Sequence, residues 1–217
     1  MSESGKRKAE SGKRKAESGK RTAFMLGGMD KWSVYRSLPD VVDPPGSEAA
    51  VLVPLYEDVN GDIRVILTRR PDHMSSHPGD VVFPGGHREG GEEPIATATR
   101  EAWEEIRLPP ENVIEVLGGL EPVTTRNRTK PIVPVVVRID RPARLVADPA
   151  EVDVIIEPTM DELLDESGWV TRPWFGHTLW FFEFDEGILW GATAFMMRDL
   201  LRHVRSQTTD EKDGMVR

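Results

Sequence analysis

The chain contains no cysteine, so disulfides, thiolate nucleophiles and thiolate metal ligands are all excluded. That absence fits a reducing compartment, and a cytoplasmic location is expected. No apolar run approaches the roughly eighteen residues that a membrane helix needs, so no membrane partner is expected. The first residues are charged rather than apolar, so no secretory leader is expected either. Positive charge is scarce as well: 28 Lys and Arg stand against 37 Asp and Glu, for a net charge of −9. That balance argues against a general nucleic-acid binder. At 217 residues and 38% hydrophobic content, the chain can bury one sizeable core, but not two ordinary domains and a tail.

The few basic residues are unevenly spread. Glu3-Ser-Gly-Lys-Arg-Lys-Ala9 recurs at Glu10 to Ala16 and, with Thr22 in place of Lys, at Glu17 to Ala23. Residues 1–24 hold eight Lys or Arg and three Glu, a net of +5, so the −9 of the whole leaves −14 to the rest. The seven-residue period is not a coiled coil, because each repeat offers only Ala as an apolar residue and includes Gly. A segment this poor in apolar surface cannot offset its ordering entropy. The expected organisation is a disordered basic tail over 1–29, one domain over 30–206, and a polar tail over 207–217. Contact with nucleic acid is expected to be at most weak and confined to the tail. Met25 and Met29 are alternative starts.

Within the domain, Ala49 to Tyr56 reads as a strand, Asn60-Gly61-Asp62 as a tight turn, and Ile63 to Thr68 as its hairpin partner. Residues 70–79 form a polar loop containing Pro71, Pro78 and Gly79. Asp80 to Phe83, Val113 to Leu120, Ile132 to Ile139, Val152 to Ile156 and Leu179 to Phe184 read as further strands. A helix is expected through Glu105, a short one over Thr159 to Leu164, and a closing one over Trp190 to Val204. Helices flanking a mixed central sheet make an α/β/α sandwich. Most of the six tryptophans are expected in the core. The five histidines show no metal-ligand spacing, although His77 and His87 flank the segment considered next.

The densest chemistry lies between Gly86 and Leu108. Gly86-His-Arg-Glu-Gly-Gly-Glu92 is followed, after seven residues, by Arg100-Glu101-Ala102-Trp103-Glu104-Glu105-Ile106-Arg107-Leu108. Helix-favouring residues surround Arg100, with Pro94 suited to a first turn. On a helix, Glu101 sits three and four residues before Glu104 and Glu105, which puts three carboxylates on one side. Such a cluster repels itself unless a cation sits in it, and a hard divalent ion takes carboxylate oxygens together with substrate phosphate. Many Glu-rich helices are only solvated faces. A solvated face, however, has no need of Phe83-Pro84-Gly85-Gly86 before it or of Arg100 within it.

The order of these residues resembles the Nudix box: Gly, five residues, Glu, seven residues, Arg-Glu, an aliphatic residue, any residue, Glu-Glu, any residue, Gly, an aliphatic residue. Gly86, Glu92, Arg100, Glu101, Ala102, Glu104, Glu105 and Leu108 fill the matching places. Arg107 stands where the family has a Gly that ends the helix in a left-handed conformation. Upstream, Thr68, Arg70, Gly79 and Phe83 to Gly86 resemble in register the signature of Nudix coenzyme A pyrophosphatases. Pro71 and Ser75 depart from it, and Ser75 replaces an Arg. Pro131 to Val137, Asp148 to Val152 and Ile188 to Ala194 resemble further segments of that subfamily.

The resemblance implies a pyrophosphohydrolase of the Nudix fold that uses Mg²⁺ or Mn²⁺ and acts on a nucleoside diphosphate derivative such as coenzyme A. It implies Glu101, Glu104 and Glu105 as metal-binding carboxylates with the carbonyl of Gly86. Arg100 would hold them in place, together with Glu92, and Glu151 is the candidate base from outside the box. Arg69, Arg70, Arg126, Arg128 and Lys130 are the cations best placed for phosphate. Two alternatives stay open: action on ADP-ribose, a nucleotide sugar or a damaged nucleotide, and a binding module without turnover. A homodimer also stays open. Deleting residues 1–24 is expected to leave melting temperature and turnover unchanged, since apart from Met1 and Phe24 they offer no apolar residue larger than Ala to pack. A fall of several degrees in the melting temperature of the truncated protein would reject this.

Overall fold

The α/β fold is built on two mixed sheets with helices packed against them. The computed structural model describes residues 30–124 and 130–214. After a short helix α1 (Ser33–Arg36) come β1 (Ala49–Glu57), β2 (Ile63–Val65), β3 (Leu67–Arg69), β4 (Asp80–Val82) and β5 (Gly85–His87). Helix α2 (Pro94–Ile106) follows, then β6 (Val113–Gly119), β7 (Ile132–Ile139), β8 (Val154–Ile156) and α3 (Met160–Leu164). The chain closes with β9 (Trp169–Trp174), β10 (His177–Glu183), β11 (Ile188–Leu189) and α4 (Gly191–Gly214). The first sheet has the order β2-β1-β7-β6, with β5 also paired to β1, and the second β8-β3-β4-β11-β10-β9. Each holds one parallel pair, β1 with β7 and β4 with β11.

β1 is apolar along nearly its whole length because it is buried on both faces. Ala50 and Leu52 pair with Val133 and Val135 and face α2, while Val53 and Leu55 enter a larger core between the sheets. That larger core also receives Trp32 and Tyr35 from α1 and Met196, Met197, Leu200, Leu201 and Val204 from α4. Helix α2 buries Ala98, Ala102 and Ile106, spaced four apart, against the first sheet. Two of the three are alanines, so the helix backbone can come close to β1 and β5. That short approach brings the glutamates of α2 to the strand ends.

Several sequence expectations change. Ile63 to Thr68 is not one hairpin strand: only Ile63 to Val65 pair with β1, and Leu67 to Arg69 cross into the second sheet. The crossing is at Ile66, whose N–H reaches the carbonyl of Pro54 at 3.1 Å. β5 escaped notice because Gly85-Gly86-His87 carries no strand signal, and β9 because Pro173 lies within it. β9 tolerates that proline as the edge strand of its sheet. The Val152 to Ile156 strand begins only at Val154. Helix α4 does not stop at Val204 but continues to Gly214. Of the tryptophans, Trp32 and Trp169 are core, Trp180 and Trp190 are half-buried, and Trp103 and Trp174 are exposed. No helix among the described residues is long and apolar enough to cross a membrane.

The α2 exit keeps the conformation expected of glycine without having one. Arg107 sits at φ 55°, ψ 38°, and its N–H bonds the carbonyl of Trp103 at 3.0 Å. A side chain in that left-handed region costs about 1–2 kcal/mol. Arg107 recovers part of this by lying 5.5 Å over the Trp103 ring and donating to the Trp103 carbonyl at 3.3 Å. Those contacts are exposed and worth a few tenths of a kcal/mol. Arg107→Gly is therefore expected to raise stability by about 1 kcal/mol in denaturant melts. A lower midpoint would show that the stacking outweighs the strain.

Candidate active site

Three carboxylates converge where α2 meets the strand ends: Glu101, Glu105 and Glu151 each bring an oxygen within 4.8 Å of the other two. Glu105 is 4% exposed and accepts from the N–H of Gly85 at 3.2 Å. Glu101 lies directly over Gly86. A Cβ at position 86 would stand 2.4 to 2.5 Å from the Glu101 carboxyl group, so only glycine leaves that space. Glu151 comes from a loop that docks onto the end of α2. The N–H groups of Val146 and Asp148 bond the terminal helix carbonyls of Ile106 and Glu105 at 3.0 and 2.8 Å. Carbonyls that a helix end leaves without partners thus fix the loop that carries the third acid. Asp148 then turns the chain by accepting from Ala150 and Glu151.

Arg100 organises the acids on the solvent side. Its guanidinium donates to both oxygens of Glu92 at 3.1 Å, to Glu101 at 3.0 Å, to Glu104 at 3.1 Å and to the carbonyl of His87 at 2.8 Å. Glu92 also accepts from Thr97 Oγ1 and the N–H of Glu89. These donors, Arg100 first, hold the Glu92 carboxyl down to about 2. Glu105 goes the opposite way. Burial pushes it from 4.5 up to about 8; the Gly85 N–H opposes this, Glu101 and Glu151 add to it, and Arg70 opposes it. Burial also raises Glu101, against the pull of Arg100. A buried carboxyl group with two further acids against it is short of positive charge. Three oxygen donors with that deficit suit a hard divalent cation.

The same segment is where comparison with known proteins places the chain. Residues 46–183 match the NUDIX domain. The chain belongs to the Nudix hydrolase family. It is 36% identical over 157 residues to Nudix hydrolase 22, chloroplastic, of Arabidopsis thaliana, covering 68% of this chain and 52% of that protein. It is 34% identical over 167 residues to Nudix hydrolase 15, mitochondrial, of the same plant, covering 72% and 57%. An uncharacterized Nudix hydrolase NudL of Enterobacter sp. (strain 638) is 35% identical over 158 residues, covering 70% and 80%. The chain thus spans little more than half the length of the plant relatives.

Not every Nudix-box acid joins the cluster. Glu104 is half exposed and tied to Arg100, because it is turned about 100° around the helix from Glu105. The three- and four-residue spacing put all three box acids on one side, but the rotation between Glu104 and Glu105 leaves Glu104 facing solvent. Arg70 donates Nε to the carbonyl of Ser76 at 3.3 Å, and its charge reaches Glu105. Arg69 is differently employed: its two terminal nitrogens bond Asp153 and Asp72, each at 2.6 Å. Lys130 pairs with Glu48, and Arg126 and Arg128 lie outside the described residues. Sequence reasoning did not foresee the Gly85 N–H, the His87 carbonyl or the 146–148 backbone, since backbone groups carry no residue signal. Arg88 was also missed. It ties the loop before α2 to Asp43, Ser47 and the carbonyl of Glu92.

The buried acid has a measurable consequence without metal. Between pH 4.5 and about 8 the folded protein keeps a proton on Glu105 that the unfolded chain has released. Stability therefore falls as pH rises through that window, by a few kcal/mol for a shift of this size. The amide of Glu105→Gln has no proton to lose. In chelator, this variant is expected to melt above wild type at pH 8 to 9 and level with it near pH 4. Equal melting temperatures at high pH would show that Glu105 is not desolvated.

Proposed function

We propose that the chain is a divalent-metal-dependent pyrophosphohydrolase that cleaves coenzyme A or an acyl-coenzyme A. The products are 3′,5′-ADP and a 4′-phosphopantetheine species. The observation that carries this reading is the convergence of Glu101, Glu105 and Glu151 on one point, with the Arg70 charge beside them. Glu101, Glu105 and Glu151, with the Gly86 carbonyl, would hold Mg²⁺ or Mn²⁺; Glu104 stands ready on the solvent side. Bound there, such an ion would neutralise phosphate charge and make water more acidic.

The chain's own groups do the rest. Arg70 draws the pyrophosphate toward the acids. Arg100 keeps Glu101 and Glu104 in fixed orientation, so no reorganisation is needed during reaction. Glu151 is the exposed member of the trio and the one in position to take a proton from water. As that proton leaves, the water oxygen forms a bond to phosphorus and the bridging P–O bond breaks, releasing a phosphate monoester on each side. Support for the coenzyme A substrate is the register of Thr68, Arg70, Gly79 and Phe83 to Gly86.

One observation favours a second reading. Ser75 stands where the resembling signature has Arg, and Arg69 is held by Asp72 and Asp153. A substrate without the extra 3′-phosphate, such as ADP-ribose or a nucleotide sugar, needs fewer cations. The ratio of kcat/KM for coenzyme A and its 3′-dephospho form separates the two readings. A ratio well above one supports coenzyme A. Faster turnover of ADP-ribose than of either supports the second reading. Glu151→Gln is expected to lower kcat by about 10²–10⁴-fold, and Glu105→Gln to abolish turnover, with both variants folded. Near-normal turnover of either at saturating Mg²⁺ would remove that residue from the site.

A further inference from the structure

The second sheet has a face that runs from beneath the acidic cluster into the open. Opposed residues of paired strands share a face. Leu67, Val81, Leu189, Phe182 and Trp169 point into the large core and define the inner side. Their neighbours therefore point outward: Thr68 with Val82, Asp80 with Ile188, Ile188 with Glu183, and Phe181 with Val170. At the β8-β3 end this outer side lies under α2, because Ile155, opposite Thr68, packs into the α2 core. Arg70 continues the outer side, bonding its N–H to the carbonyl of Asp80 at 3.0 Å, and its charge reaches Glu105. Beyond Asp80 the Trp190 ring and Arg172 lie against Phe181, while the strands on either side of it stay open. Ile188 is 46% and Val170 56% exposed.

This open part carries an apolar strip of Ile188, Phe181 and Val170, edged by Asp80, Glu183 and Arg172. Trp190 donates Nε1 to Asp80 at 2.9 Å, and its ring lies 6.1 Å from that of Phe181 at an interplanar angle of 5°. The strip runs from β4 across β11 and β10 to β9, three strand spacings or about 15 Å. We propose that it is the floor for the apolar arm of the substrate, beginning where the pyrophosphate meets Arg70. The inference rests on the proposed pyrophosphohydrolase reading and extends it. Charge decides which arm lies here. Asp80 and Glu183 stand on the same face beside Arg70 and repel a second phosphate there, Arg172 lies 5.3 Å over the Phe181 ring farther along, and Ile188, Phe181 and Val170 gain from covering by methylenes. A pantetheine or acyl chain fits this strip, whereas a phosphate would have to pass Asp80 and Glu183 to reach Arg172.

The test measures binding, so that it does not depend on turnover. Methylenediphosphonate and its butyl, octyl and dodecyl esters, whose P–C–P link resists hydrolysis, are titrated into the full chain with Mg²⁺ by calorimetry. In wild type, Kd is expected to fall at least about tenfold from butyl to dodecyl. In Ile188→Asp and in Val170→Asp, both at exposed positions, Kd is expected to vary less than about twofold along the series. Affinity for methylenediphosphonate itself should match wild type in both variants. A wild-type Kd independent of chain length overturns the inference. An undiminished chain-length effect in both variants overturns it too. If methylenediphosphonate itself does not bind with Mg²⁺, the pyrophosphohydrolase reading fails, and this inference with it.

Discussion

One guanidinium holds the acidic end of α2 together. Glu92, Glu101 and Glu104 crowd within reach of a single cation, and Arg100 bonds all three as well as the His87 carbonyl. Charge-assisted bonds of this kind are roughly twice as strong as neutral ones, and the planar fork fixes direction as well as distance. The loop before the helix, the helix itself and β5 are thereby clamped at one point. A lysine could neutralise the charge, but it could not span Glu92, Glu101 and the backbone at once. Among the described residues, neither Glu105 nor Glu151 forms an ion pair. The repulsion left among the inner acids is what suits the site to a metal.

The fold serves this point by close approach. Ala98 and Ala102 let α2 lie near β1 and β5, Gly86 removes the side chain that would meet Glu101, and Gly85 lets β5 lie close against the backbone of β1. Glu105 thereby loses water and gains only one backbone donor, which accounts for the rise of its pKa to about 8. The helix end then recruits its own third acid, since the carbonyls of Glu105 and Ile106 dock the loop leading to Glu151. Helix termination and site assembly are one event. This is why Arg107 can hold a strained left-handed conformation: the chain must turn there for Asp148 to reach the helix end.

The position of the site between α2 and the second sheet gives it two unlike sides. Above are carboxylates; on the sheet side are Arg70 and then an apolar strip. A ligand with a charged middle and an apolar end matches that order better than one charged throughout. The cations expected to read further phosphates are partly spent within the protein, Arg69 on Asp72 and Asp153, and Lys130 on Glu48.

The sequence by itself determined the chemistry along α2. Glycine, arginine and glutamate at fixed spacing along one helix are local features, and helical geometry alone places Glu101 beside Glu105. β1, β6 and β7 of the first sheet were legible for the same reason, as apolar-rich runs bounded by turns. What the tertiary structure decided is everything set by depth or by distant pairing. Periodicity tells which side of a helix a residue occupies, not how far that side sinks, so it could not show that Glu105 is buried while Glu101, on the same side, is only partly so. It could not show that β2 and β3 belong to different sheets, or that Gly85 to His87 is a strand, because those pairings join segments far apart in the chain. Nor could it show that Arg69 is occupied, since Asp153, one of its two partners, lies 84 positions away. Ion pairs over such separations depend on the whole fold and leave no trace in local sequence.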